Sequence, residues 1–273
     1  MSFEKSAALI TALKAAEAAS KIIQSYAPGG FQAETKISGD IELGLVTKAD
    51  LEAESSIVDT IKSEFPTHSF LAEESHSDAV NAEHLWVIDP LDGTNNFAHG
   101  IPHYSVSIAY YENQVAKCGV ISNPATGEIF CTEQGRGAWL GDQKVSVSSE
   151  SDIKHAMIAT GFYYDRGYMM KQTLQTIEKL FENNIRGIRR FGSVALDLAY
   201  VGCGRYSAFF EYQLFPWDFA AGKLFVEEAG GTATDCAGIK IPIQTTTMLA
   251  SNTKLHETLL AIVRQDATNQ LGG

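Results

Sequence analysis

The segment from Trp86 to Phe97, WVIDPLDGTNNF, restricts the fold more than any other stretch of the chain. An apolar run delivers Asp89 where a strand leaves its sheet, and ligands of α/β sheets gather at such ends. Pro90 keeps Asp89 out of the helical region. Asp92 follows three residues on, so two carboxylates can aim at one point. Gly93 lets the backbone come close to a ligand. Thr94-Asn95-Asn96 then reads as a helix start, whose free amides favour a phosphate. A plain turn at Asp92-Gly93 with Thr94 as cap accounts for the DG pair alone. It does not account for two acids, a proline and DGT in immediate succession.

Around that segment the hydrophobic pattern alternates between helix and strand. Residues 3–26 read as an Ala-rich amphipathic helix, with Leu9, Leu13, Ala16, Ala19 and Ile23 at helical spacing and Pro28-Gly29-Gly30 as its end. ETKISGDIELG reads as a loop or hairpin, and Asp50 as the start of a second helix stopped by Pro66. HSFLAEE, HLWVIDP, SVSIAYY, VAKCGVIS and EIFCTE read as strands, and GAWLGDQKVSVSS as a last hairpin. Further on come a strand at 156–160, a helix at 168–183, a short strand near Ile188, a helix at 193–202, the strand YSAFFEY and a helix at 217–229. Gly230-Gly231 caps the last of these. The polar string SVSSESD marks a boundary between two mixed α/β lobes, 1–148 and 149–273, with the site between them.

Composition removes several classes. A hydrophobic fraction of 45% in 273 residues supports a sizeable core and excludes a disordered chain. Lys plus Arg total 21 and Asp plus Glu 33, a formal charge of −12, which is a poor match for nucleic acid or an anionic membrane. Cys118, Cys131, Cys203 and Cys236 form no CxxC pair and no zinc spacing, as expected of buried thiols in a reducing compartment. Gly100 and Pro102 between His99 and His103 argue against a helical HxxxH pair. Charged residues interrupt the N-terminal helix, so it is no signal peptide, no run reaches membrane length, and a cytoplasmic protein is expected.

Other acids complete a pattern. Glu73 and Glu74 close one strand, and Asp218 stands in PWDFAAGKLFVEEAGG at a predicted helix start. A solvated pair and an N-cap explain each of these separately. The haloacid dehalogenase-like phosphatases use DxDGT, in which the first Asp is the nucleophile. That position here is Pro90, which cannot form an aspartyl phosphate, so that class fails on chemistry.

The order EE, DPLDGTNNF, then WD before a helix ending in EAGG resembles the inositol monophosphatase family, of the bacterial inositol-1-monophosphatase type, within the lithium-sensitive, magnesium-dependent phosphatases. The motifs are LVTKAD (45–50), AEES (72–75), WVIDPLDGTNNFAHGIPHYSVSIA (86–109), ATG (159–161), GSVALDLA (192–199) and FFE…PWD (209–218), nearly the whole chain. The resemblance implies a layered α-β-α-β-α sandwich, a mixed α/β fold. It implies two to three Mg²⁺ ions per site. Glu73, Asp89 and the carbonyl of Leu91 look like ligands of a first ion, and Asp89, Asp92 and Asp218 like ligands of a second. Asp50 with Thr94 resembles the pair that helps Glu73 activate a water. Gly93 and Thr94 resemble the phosphate-holding amides, Glu211 and the backbone of Val194 the contacts to sugar or cyclitol, and Lys36 the lysine of a loop over the site. The family's homodimers suggest a homodimer here. Four carboxylates meeting at neutral pH need cations or shifted pKa values, and an all-oxygen set suits Mg²⁺ better than Zn²⁺.

The chain departs from the family in three places. Asn95 replaces a second Thr, a change that keeps a helix start. Leu214 and Phe215 make an apolar wall where relatives carry a polar or basic residue, and the loop from Lys36 to Gly44 is long, with Asp40 and Glu42 in it. Tyr163 and Tyr164 fit a pocket wall, the core or the surface equally; Arg189 and Arg190 fit a subunit interface or a strand edge. Hydrolysis of myo-inositol monophosphates is the leading expectation. The rivals are histidinol phosphate, 3′-phosphoadenosine phosphates, fructose bisphosphate, and a non-catalytic binding protein that keeps the fold.

Overall fold

In a computed structural model the structure describes residues 4–26, 33–38 and 41–264. In chain order the elements are α1 (Ala7–Tyr26), β1 (Ala33–Ser38), β2 (Ile41–Thr47), α2 (Lys48–Glu64), β3 (Ser69–Ala72), β4 (His84–Asp92), α3 (Thr94–Ala98) and β5 (Ser105–Glu112). Then follow β6 (Val115–Asn123), β7 (Glu128–Glu133), β8 (Gly137–Leu140), β9 (Gln143–Val145), β10 (Met157–Thr160), α4 (Tyr168–Glu182), β11 (Gly187–Arg189) and α5 (Val194–Gly202). The chain closes with β12 (Ala208–Leu214), α6 (Pro216–Glu228), β13 (Gly231–Thr234), β14 (Thr246–Asn252) and α7 (His256–Val263).

Period-two alternation in the strands sets the layers. In β4, Trp86 and Ile88 face α1 and α2 together with Phe70, Val106 and Val120. Leu85 and Val87 face the other way, against Ala195 and Leu196 of α5 and Ala220, Ala221 and Phe225 of α6. The strands β3 to β9 form one seven-stranded sheet in sequential order, parallel only between β3 and β4. A second sheet runs β11-β10-β12-β14-β13. Its Phe209 and Ala250 meet Leu198 of α5 and Phe219 and Val226 of α6. Its Ile158 and Phe210 meet Leu180 of α4 and Leu259 and Val263 of α7. The order is therefore α1/α2, sheet, α5/α6, sheet, α4/α7, the five-layer mixed α/β sandwich. α6 is buried on both faces because it lies between two sheets, which explains its all-round apolar sequence. Gly119 of β6 lets it approach: an added Cβ there would stand 3.1 Å from the Ala221 backbone.

Several boundaries differ from the sequence reading. α2 starts at Lys48, because Thr47 is its N-cap and Asp50 the third residue of a capping box. β4 runs on to Asp92 instead of stopping at Asp89. The stretch after Gly231 builds β13, β14 and α7, which pattern alone did not reveal. The 34–44 segment forms the β1–β2 hairpin, with Lys36 paired to Gly44. Pro28-Gly29-Gly30, Asp40 and the side chains of Lys36 and Glu42 lie outside the described residues. Among the described residues no helix is long and apolar enough to cross a membrane.

Candidate active site

Separate chain segments bring carboxylates to one cavity, several of them by capping chemistry and a strand irregularity. The β4–β5 ladder shifts register between Asp89 and Asp92, which bends the strand and re-aims its last side chains. Asp89 Oδ1 accepts a 3.0 Å hydrogen bond from Leu91 N within that bend. Gly93 turns the chain at φ 93°, and a Cβ there would meet the His103 and Gly192 carbonyls at 3.1 and 3.2 Å, so only glycine fits. α3 begins at once, with Thr94 as its first residue.

The other acids are held by helix ends. At α2, Asp50 Oδ2 accepts from Thr47 N at 2.8 Å and from the Thr47 hydroxyl. Its Oδ1 accepts from Thr94 Oγ1 at 2.9 Å, joining α2 to α3. At α5, Ser193 Oγ and Ala195 N donate to Asp92 Oδ2 at 2.6 and 2.8 Å. At α6, Phe215 N donates to Asp218 Oδ2 at 2.7 Å. Asp92 and Asp218 each commit Oδ2 to the chain and keep Oδ1 for another partner. Glu73 follows β3, anchored by its own N–H to Ile88 O at 3.2 Å.

These groups surround one cavity of about 390 Å³. Glu73, Asp89, Leu91, Asp92, Gly93, Thr94, Val194, Glu211 and Asp218 all line it, and Asp50 sits behind Thr94, fully buried. Tyr163 and Tyr164 are in the wall, as are Leu214 and Phe215. Phe215 stacks on Trp217 at 5.1 Å and meets Tyr163 at 6.3 Å, making one side aromatic. Arg189 ends β11 at the sheet edge, whereas Arg190 lines the cavity.

Two wall residues were not singled out from sequence. Asp197 on α5 is 1% exposed, and its Oδ1 has no hydrogen-bond partner. A lone acid inside the apolar run of α5 is the signal that could have pointed to it. Gly161 is the other: a Cβ there would stand 2.0 Å from Glu211 Oε2, so the bare backbone makes room for that carboxylate. Glu211 Oε2 is likewise buried without a partner.

Charge is the site's dominant feature. Burial pushes the Asp92 carboxyl up to about 6, with the Glu73 charge adding and the Ser193 and Ala195 donors opposing. Burial also holds Asp218 well above the carboxylate range, reinforced by Glu73 and Asp92. Glu211 rises to about 8 through burial, although Arg190 pulls it down. Asp197 rises well above its ordinary value by burial and by the charges of Asp92 and Glu211. Among the described residues no three His, Cys, Asp or Glu side chains form a ready ligand set. Mutual repulsion opposes their convergence. The donor chemistry nevertheless fits hard divalent cations: all the groups are oxygens, and the excess charge needs neutralising.

Comparison with known proteins gives the family and the fold. Residues 4–268 match the model of the inositol monophosphatase family. The chain is 38% identical over 263 residues to the Nus factor SuhB of Escherichia coli, covering 95% of this chain and 97% of that one. It is 38% identical over 229 residues to a fructose-1,6-bisphosphatase/inositol-1-monophosphatase of Thermotoga maritima, covering 84% and 86%. The crystal structure of the extragenic suppressor protein suhB from Bartonella henselae superposes with a TM-score of 0.87 at 35% identity, covering 95% of this chain and 99% of that one. The chain belongs to the inositol monophosphatase family, a family of phosphatases.

Proposed function

We propose that this phosphatase hydrolyses myo-inositol monophosphates to inositol and phosphate by in-line attack of water. The observation that carries the reading is one cavity lined by Glu73, Asp89, Asp92 and Asp218, by Gly93-Thr94 and by Glu211. Glu73, Asp89, the Leu91 carbonyl, Asp92 and Asp218 would hold Mg²⁺, two to three ions per site. Such ions attract a phosphate dianion, activate water and neutralise developing charge.

The chain's own residues divide the remaining work. Thr94 Oγ1 lies 2.9 Å from both Asp50 Oδ1 and the Leu91 carbonyl; with its one proton given to Asp50, its oxygen would be able to accept from a water beside Glu73. Glu73 takes the water's proton as general base. The N–H groups of Gly93 and Thr94, at the first turn of α3, receive phosphate oxygens. Glu211 and the Val194 backbone contact the alcohol, with the aromatic wall of Tyr163 and Phe215 against its C–H face. By its resemblance to the family, Lys36 would be the lysine that serves the site, and the working form would be a homodimer.

The test is phosphate release from myo-inositol 1-phosphate, histidinol phosphate, 3′-phosphoadenosine 5′-phosphate and fructose 1,6-bisphosphate with Mg²⁺. A preference for the inositol ester supports the reading. A preference for fructose bisphosphate, which the name of the Thermotoga relative also includes, keeps the chemistry and moves the substrate. Silence on all four favours a binding protein that retains the fold. Light scattering checks the dimer.

A further inference from the structure

Behind Glu73 lies a buried acid that the proposed reaction leaves unused. Glu54 stands one turn after Asp50 on α2 and is 1% exposed. Its Oε2 accepts from Glu74 N at 2.8 Å. Its Oε1 accepts from the Ser75 hydroxyl and lies 3.1 Å from His76 Nδ1. The three residues that follow Glu73 therefore hang on one carboxylate. They lie beyond the end of β3 at Ala72, in a turn closed by Ala72 N to His76 O at 2.7 Å. Backbone bonds close the base of this turn, Asp78 N to Phe70 O at 2.9 Å among them, and Glu54 is the side chain that α2 adds to its tip.

We propose that Glu54 is a positioning residue for Glu73. Asp50 and Glu54, four residues apart, lie on one face of α2. The first ties α2 to Thr94 and the second ties it to the Glu73 turn, so one helix face sets the spacing of two segments that meet at the cavity. Buried carboxylates accepting several donors make rigid anchors. The inference rests on the reading of Glu73 as a cation ligand.

The test uses the full chain and Tb³⁺, a hard ion whose sensitised emission reports binding without turnover, alongside melting in chelator. Glu54→Ala is expected to weaken Tb³⁺ binding about tenfold, the low end for groups that orient metal ligands. It should raise the Mg²⁺ needed for half-maximal phosphate release in parallel. Glu54→Gln should stay near wild type, because its amide oxygen accepts from Glu74 N–H and its NH₂ donates to the Ser75 oxygen. Equal losses in both variants would assign the effect to Glu54's charge and overturn the proposal. So would a Glu54→Ala protein that melts lower but binds Tb³⁺ unchanged. Should Glu54→Ala fail to fold, Ser75→Ala removes the hydroxyl donor to Glu54 and should weaken Tb³⁺ binding measurably; an unchanged affinity would contradict the proposal. Glu73→Ala separates the two levels. Tb³⁺ binding that survives it defeats the ligand reading itself, whereas loss there with no loss in Glu54→Ala defeats only the positioning role.

Discussion

On the proposed reading the cavity has a phosphate end, where Asp50, Asp89, Asp92 and Asp218 each receive a hydrogen bond from a backbone or hydroxyl donor of the chain. Glu211 Oε2, at the alcohol end of that reading, and Asp197 Oδ1 in the same wall are buried with none. A buried carboxylate oxygen without a donor costs stability, and protonation or a ligand hydroxyl relieves it. On that reading the phosphate-side carboxylates are held before substrate arrives, and Glu211 would gain its donor from the entering alcohol.

The largest effect should come from the prearranged end. Asp218→Asn keeps an oxygen to accept from Phe215 N and so keeps the α6 start, but it removes a charge. Phosphate release should fall by about 10²–10³-fold with the melting temperature nearly unchanged. Wild-type turnover in this variant would break the comparison. Thr94→Val removes the hydroxyl between Asp50 and the cavity while keeping shape. Its turnover number should drop by about 10²-fold with little change in KM, the scale of a lost proton-transfer group.

The alcohol end should respond in KM. Gly161→Ala places a methyl where Glu211 Oε2 lies, at an ordinary backbone conformation, so the strain falls on Glu211 alone. KM for inositol 1-phosphate should rise roughly tenfold, about 1.4 kcal/mol, with phenyl phosphate unaffected. Equal losses on both substrates would place Glu211 outside alcohol recognition. The smallest effect is on stability. The Glu211 carboxyl is raised from 4.5 to about 8 by burial first, with Asp92 adding and Arg190 opposing. The folded chain binds that proton more tightly than the unfolded one, so the stability it confers is full below about pH 4.5 and is lost as pH rises through about 8. In chelator, Glu211→Gln should melt at least about 2 °C above wild type near pH 8.5 and lose that advantage near pH 5.

The two ends also differ in how far the sequence revealed them. WVIDPLDGTNNF and PWD were legible because their geometry is local: a strand end, a proline, a glycine turn and a helix start within a few residues. The boundary errors were local too. Asp50 looked like a helix start because capping boxes place an acid at the third position, and Thr47 was passed over. The contact between Gly161 and Glu211 was not legible, since it depends on β10 lying parallel beside β12. Asp197 stood in a string already quoted, but its cavity-facing position depends on α5 being held between two sheets. β14 went unread because it exists through pairing with β12 and β13 on either side. Arg190 was indistinguishable from its neighbour Arg189 until the sheet edge separated them.

The most direct measurement is phosphate release from myo-inositol 1-phosphate by wild type and Asp92→Asn, each titrated with Mg²⁺ from a chelated start. Wild-type release should be absent in chelator and rise with Mg²⁺, while Asp92→Asn stays near background at every concentration. Release that persists in chelator, or an Asp92→Asn titration that overlays wild type, would contradict a cation-assisted reaction at this cavity.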